Sequence, residues 1–324
     1  MSMAPSAAAP SHATAAAHVT GVAYGAGTGA LWGLVFLAPE LVRDFSPLLL
    51  TIGRYLCFGL IAAAIIAPRW RSLVGGIPRQ RWLSLCWLAL TGNTLYYILL
   101  SSAVQSGGIA MTSLVIGFLP VAVTVIGSRE QGAVPLRRLL PSLLFCVLGA
   151  ICIGGQALGN GALRPWGEQW MGLACAVGAL ASWTAFAVGN TRCLAQVKQL
   201  SSHDWNLLLG LVTGLQGLLL IPLALGLGTG DHDVGAWARF GAVSAGVAVL
   251  ASILGNLFWN RMSRLLPLTL MGQMILFETL FALIYGLLWE QRLPTLLEIL
   301  ALSCVVLGVL SCLAVHRRPV AAAH

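Results

Sequence analysis

Residues 82–127 read WLSLCWLALTGNTLYYILLSSAVQSGGIAMTSLVIGFLPVAVTVIG, without one charged side chain. The interruption is Ala103-Val104-Gln105-Ser106-Gly107-Gly108, whose paired glycines mark a tight turn. A helix of roughly 20 apolar residues crosses the hydrocarbon core of a bilayer, so two such helices and a hairpin account for the whole stretch. Working outward, apolar runs separated by charged or Gly/Pro segments predict spans at 20–38, 46–67, 82–102, 109–127, 136–155, 168–189, 204–226, 239–259, 268–288 and 295–315. The fold class is all-α integral membrane: ten transmembrane helices in one membrane domain, 20–315. Residues 1–19 read as a disordered tail, and 316–324 as a second tail. The first stretch has no Lys or Arg and so lacks the basic start of a signal peptide.

Composition leads to the same class. Of 324 residues 58% are hydrophobic and 9% charged, against about 25% charged in soluble domains. A water-facing surface cannot be built from so few charges, and no length remains for a soluble enzyme domain. The net charge of +8 does not mark a nucleic-acid partner, because its placement follows the loops. Thirteen Lys and Arg lie on one side: Arg69, Arg71, Arg79, Arg81, Arg129, Arg137, Arg138, Arg192, Lys198, Arg261, Arg264, Arg317 and Arg318. Four lie on the other: Arg43, Arg164, Arg239 and Arg292. Cytoplasmic loops carry the excess, which puts both termini in the cytoplasm and requires an even number of spans.

The chain also repeats. Pro135 and Pro294 each precede a Leu-Gly pair, Leu148-Gly149 and Leu307-Gly308, at a common offset of 159 residues. The same offset relates Ile116 to Ile275, Phe118 to Phe277 and Gly127 to Gly286, while Gly29-Ala30-Leu31 and Gly178-Ala179-Leu180 stand 149 apart. Two five-helix units, 20–155 and 168–315, follow. An odd number of helices makes the second unit enter the membrane inverted, a transporter plan with its site near the midplane between the halves.

Several stretches resemble a known family. Trp32-Gly33-Leu34-Val35-Phe36, Pro47 and Arg54-Tyr55 resemble the opening of an EamA domain of the drug/metabolite transporter superfamily. Phe118-Leu119-Pro120 with Gly127 and Glu130 resembles its fourth helix, and Phe277-Glu278 through Gly286 to Glu290 the acidic helix of the second copy, with Thr279 where the family often has Pro. The branch most similar is the bacterial amino-acid exporters, aromatic amino acids included. The resemblance implies a bacterial inner-membrane protein, a central cavity lined mainly by spans one, three, four, six, eight and nine, and outward movement of a small-molecule substrate. A 5+5 fold closes its cavity within one chain, so a monomer is expected.

Substrate-binding candidates are Trp32, Asn93, Tyr96, Tyr97, Trp183, Asn256, Gln273 and Glu278. A carboxylate at the bilayer centre costs roughly 2.5–3.5 kcal/mol on insertion scales, so Glu278 is a proton-coupling or amine-binding group, or a neutral acid bonded to its neighbour. Arg54 either holds a substrate carboxylate through paired hydrogen bonds or is structural, neutralising Glu278 or pinning backbone carbonyls. The four aromatics suit stacking on a substrate ring or on an ammonium group, or plain packing; the amides can read an amino-acid backbone or join helices. Gly25, Gly29 and Gly33 recur every four residues along span one as a packing or gating face, and Pro120 is expected to kink span four. Trp70, Trp82, Trp166, Trp205, Trp237, Trp259 and Trp289 fall near span ends as an interfacial belt.

Other classes fit less well. There is no GxxxxGK[ST] loop, so a gradient rather than ATP drives movement. Six dispersed histidines make no site for a lipid enzyme, and nothing resembles a channel filter. Inside the transporter class, an organic-cation or multidrug exporter is an alternative, as is a nucleotide-sugar-type carrier, which would want more cavity cations than Arg54. Asp231-His232-Asp233 reads as a solvated loop rather than a metal site, and His203-Asp204 as a helix N-cap and its neighbour. No catalytic group, metal or cofactor is expected.

Overall fold

The computed structural model describes residues 12–75, 77–127, 136–159, 165–197, 200–265 and 268–317, and every regular element among them is helical. Helix α1 covers His12–Leu41 and α2 covers Pro47–Ile66. Ser46 accepts the Leu49 amide at 3.2 Å, and Pro47 fills the first turn, where a missing N–H costs nothing, so local sequence sets this start. A 3₁₀ turn (Ala67–Arg69) and α3 (Trp70–Leu73) precede α4 (Arg79–Ala89), which passes through a π-helical turn (Leu90–Thr94) into α5 (Leu95–Gly107). Gly108, at φ +88°, turns the chain into α6 (Ile109–Ile116) and α7 (Leu119–Gly127). The second half holds α8 (Leu136–Gly159), α9 (Trp166–Gln196), α10 (Ser202–Leu227) and α11 (Val234–Val247). A second π-helical stretch (Ala248–Gly255) leads to α12 (Asn256–Leu265), followed by α13 (Leu268–Glu290) and α14 (Leu296–Arg317).

Among the described residues six helical stretches are long and apolar enough to cross a membrane: Val19–Leu41, Pro47–Leu73, Arg79–Gly107, Trp166–Asn190, His203–Leu227 and Val234–Met262. Ile109–Val123 and Leu296–Ser311 are shorter apolar helices. The exterior is correspondingly oily, with Leu218, Leu219, Leu223 and Leu225 of α10 and Leu144, Val147 and Ile151 of α8 all exposed.

Local expectations change in four places. Helix α1 begins at His12, inside the stretch read as a tail, where Ala13, Ala15, Ala16 and Ala17 have the highest helix propensity. The interruption of span four falls at Gly117-Phe118, ahead of Pro120, which lies in the first turn of α7. Proline clashes with the carbonyl four residues before it, so the helix parts there and restarts where a proline is tolerated. The cap of α10 is Ser201, which accepts the Asp204 amide at 3.0 Å, rather than His203 or Asp204. Of the belt tryptophans, Trp70, Trp166, Trp237 and Trp289 are exposed, whereas Trp205 is buried and donates to Asn190 Oδ1 at 2.8 Å.

Helices pack most extensively in the pairs α1 with α13, α2 with α10, α5 with α9 and α8 with α14. Glycine permits two of these approaches. A Cβ on Gly29 would lie 2.5 Å from Phe277 Cβ and 2.8 Å from the Glu278 amide nitrogen, and one on Gly33 3.0 Å from the Ala282 nitrogen. Gly59 and Gly214 face each other across α2 and α10, each Cβ position 2.6 Å from the other's Cα.

Polar ties gather at the two ends. At one end Arg69 meets Asp204 at 2.9 Å and Arg81 donates to Gln196 at 2.8 Å. At the other, Arg43 pairs with Glu40 at 3.0 Å and donates to the Gln105 carbonyl at 2.7 Å, and Arg239 pairs with Asp44 at 2.7 Å. Arg292, in the loop before α14, grips Glu298 at 2.5 Å and Glu290 at 2.5 Å; these bonds, that to Glu298 foremost, hold its pKa above the usual guanidinium range. Asp233 caps α11 through the Ala236 amide at 2.6 Å, and His232 stacks on Phe45 with ring centres 4.0 Å apart. No metal-holding group of His, Cys, Asp or Glu occurs among the described residues.

Candidate functional site

The largest buried cluster draws Tyr55 and Phe58 from α2, Tyr96, Tyr97 and Leu100 from α5, and Ala248 and Ala251 from the second π stretch. Ala282 of α13 completes it, with Trp32 of α1 and Trp183 of α9 packed against it. Four predicted aromatics therefore converge. Into this apolar centre the chain places two opposite charges. Arg54 of α2 retains 7% exposure. Its guanidinium lies over the Tyr97 ring at 4.3 Å from the centroid and beside the Tyr55 ring at 5.0 Å, the geometry in which an aromatic face attracts a cation. The two rings meet edge to face, 5.9 Å apart. Arg54 Nη2 donates to Ser252 Oγ at 3.3 Å, while Nε and Nη1 are buried without a hydrogen-bond partner. The Tyr97 hydroxyl lies beside the Ser101 hydroxyl and the Arg54 guanidinium, without a hydrogen bond of good geometry to either. Glu278 of α13 stands within electrostatic reach of Arg54 and of Tyr96 without forming an ion pair.

The other predicted polar residues are occupied elsewhere. Trp32 donates its indole N–H to the Ala251 carbonyl at 3.1 Å and stacks on Trp259 with ring centres 5.2 Å apart. Asn93 donates to Thr213 Oγ1 of α10 at 2.9 Å. Asn256 donates to the Ser252 carbonyl at 2.7 Å and reaches Asn206 Oδ1 at 3.4 Å. Trp183 packs edge to face on Phe186, 5.6 Å between centres. Gln273 lies on α13, but its side chain is outside the described residues. Gly25 faces Met274 and Met262, so with Gly29 and Gly33 it forms the seam of α1 against α13.

The π segments are where the sequence reading fell short. A π turn spoils the regular i→i+4 ladder and is common at functional sites, and here one carbonyl in each segment accepts a side-chain donor from a facing helix. Ser182 Oγ of α9 donates to the Thr91 carbonyl at 2.7 Å, as Trp32 of α1 does to Ala251. Ser252, Ser101 and Tyr55 were also missed. Tyr55 follows Arg54 directly, Ser101 lies one turn beyond Tyr97, and Ser252 is a lone hydroxyl in the run Ala248-Val249-Leu250-Ala251-Ser252-Ile253. The arrangement holds no nucleophile–base pair; a cation, an acid and aromatic faces in an apolar centre can bind a small amphipathic or zwitterionic solute.

Comparison with known proteins places the chain among transporters. Residues 19–155 match the model of the EamA-like transporter family. The chain is 32% identical over 312 residues to the "Inner membrane protein YtfF" of Escherichia coli (strain K12), covering 93% of this chain and 96% of that one. It is 26% identical over 292 residues to the "Uncharacterized transporter YdeK" of Bacillus subtilis (strain 168), covering 86% and 89%. A solved crystal structure superposes with a TM-score of 0.59 over 94% of this chain and 99% of its own, at 17% identity, a likeness of fold alone.

Proposed function

The chain belongs to the EamA-like transporter family, and from that premise we propose that it is a secondary exporter of small metabolites, foremost amino acids including aromatic ones, working by alternating access at a midplane cavity. The observation that carries this reading is a buried cation, Arg54, with a partly buried acid, Glu278, within electrostatic reach, set among Tyr55, Tyr96, Tyr97 and Trp183. Rings and opposite charges in a dry centre match the parts of an aromatic amino acid. Glu278 takes the substrate amine or a coupling proton.

Ten crossings organise the molecule in this proposal, six of them the long apolar stretches and the rest α6–α7, α8, α13 and α14. Every tie between loops supports that alternation. Arg69–Asp204 and Arg81–Gln196 join segments the charge count places inside, while Arg43–Gln105 and Arg239–Asp44 join segments it places outside. The packing supports two inverted five-helix repeats. Exchanging each span with its counterpart five spans on turns the α1–α12 pairing into α9–α5, and maps α2–α10 and α8–α14 onto themselves; all four pairings occur. The two π segments and their carbonyl partners exchange in the same way. Location in a bacterial inner membrane, with both termini cytoplasmic, rests on the thirteen-to-four charge bias and on the Escherichia coli relative's name.

Counterflow in proteoliposomes tests the function. Vesicles loaded with unlabelled phenylalanine are expected to accumulate labelled phenylalanine saturably. Exchange of an organic cation with none of a panel of amino acids would overturn the substrate class.

A further inference from the structure

We infer that Arg54 is the specificity-determining residue of the carrier, donating to a carboxylate of the transported solute. This rests on reading the chain as a small-metabolite transporter, but not on the solute being an amino acid. The warrant is what the guanidinium lacks. Arginine stays charged and carries five N–H donors, yet among the described residues a single well-aligned hydrogen bond reaches an acceptor, Ser252 Oγ, at the long distance of 3.3 Å. Nε and Nη1 are buried and unpartnered. An intramembrane arginine ordinarily pairs with an acid or with backbone carbonyls, and neither employment is found: Glu278 forms no ion pair with it, and no carbonyl accepts from it among the described residues. An unpaired buried charge is strongly destabilising, so the site is built for a partner that arrives with the substrate.

The surroundings select what arrives. The Tyr97 and Tyr55 rings hold the guanidinium in place from one side, leaving its donors for a planar acceptor that can take more than one N–H, as carboxylates do. The Tyr97 and Ser101 hydroxyls, beside one another and the guanidinium without a well-aligned hydrogen bond, can turn to donate to a bound carboxylate. Among carboxylates, Glu278 favours one that also bears an ammonium group.

Three matched solutes test this in counterflow: phenylalanine, hydrocinnamate, which lacks the amine, and phenethylamine, which lacks the carboxylate. The wild type is expected to exchange both carboxylates and to reject phenethylamine by about tenfold or more. Arg54→Gln should raise the KM for the carboxylates by about tenfold or more and reduce that discrimination, and Arg54→Lys should restore it only in part, since a point charge does not reproduce the planar fork. A folded Arg54→Gln protein with unchanged KM and discrimination overturns the inference and leaves the amino-acid reading standing. Exchange of hydrocinnamate but not phenylalanine overturns the amino-acid reading and leaves Arg54 in its role; exchange of phenethylamine alone overturns both. Should the variants fail to fold, thermal stabilisation of the wild type decides, because a ligand stabilises the state it binds. Hydrocinnamate and phenylalanine must raise its melting temperature more than phenethylamine; equal shifts overturn the inference.

Discussion

Glu278 and Gly29 face each other across the α1–α13 seam, and each tests a different property of it. Glu278→Gln keeps the shape and removes the titratable proton. Transport by the wild type is expected to respond to an imposed pH gradient, and transport by Glu278→Gln to lose that response; a variant that tracks pH as the wild type does would remove Glu278 from energy coupling. Gly29 is a steric test. Because its Cβ position falls on Phe277 and the Glu278 backbone, Gly29→Val should destabilise the protein by about 1–3 kcal/mol, the usual cost of overpacking, seen as a lower melting temperature in detergent. Both residues stand out in the sequence, one as a lone acid in an apolar run and one as part of a four-residue glycine rhythm. Which helix they meet does not, since a seam joins residues some 250 positions apart whose contact no local pattern encodes.

At the scale of elements, the paired π segments are the feature that periodicity could not announce. An apolar run reads the same whether its ladder is α or π, so spans three and eight looked like ordinary helices. Each has a carbonyl tied to a facing helix, Thr91 by Ser182 and Ala251 by Trp32. Leaving a buried carbonyl unpaired costs about 1–3 kcal/mol. Ser182→Ala and Trp32→Phe should each lower stability by that order, the second while keeping most of the stack on Trp259. If the π turns take part in changing the cavity's side, both variants should also slow counterflow more than they weaken substrate affinity. Trp32 thereby moves from a substrate-stacking candidate to a helix-bracing one. Asn93 and Asn256 shift likewise, since polar residues in lipid-embedded helices satisfy each other first.

For the whole molecule the open question is the count and direction of crossings. Single cysteines placed in a background whose native cysteines are serine, at Ser72→Cys, Asp231→Cys and Arg317→Cys, report sidedness to a membrane-impermeant maleimide. Only Asp231→Cys is expected to label in intact cells, with the other two labelling after permeabilisation. Labelling of Arg317→Cys from outside would break the even count. The sequence by itself determined the class: apolar runs of spanning length and charges gathered mainly in the links are one-dimensional patterns, and the cost of burying charge in lipid writes them along the chain. Only the tertiary structure decided which polar residues are spent on holding helices together and which remain unengaged. Arg54, Asn93, Asn256 and Trp32 are indistinguishable as buried polar groups until their partners are known, and those partners come from helices far apart in sequence. Of these four, Arg54 alone has buried donors without a well-aligned acceptor among the described residues, because the packing around Tyr55 and Tyr97 brings ring faces to its side.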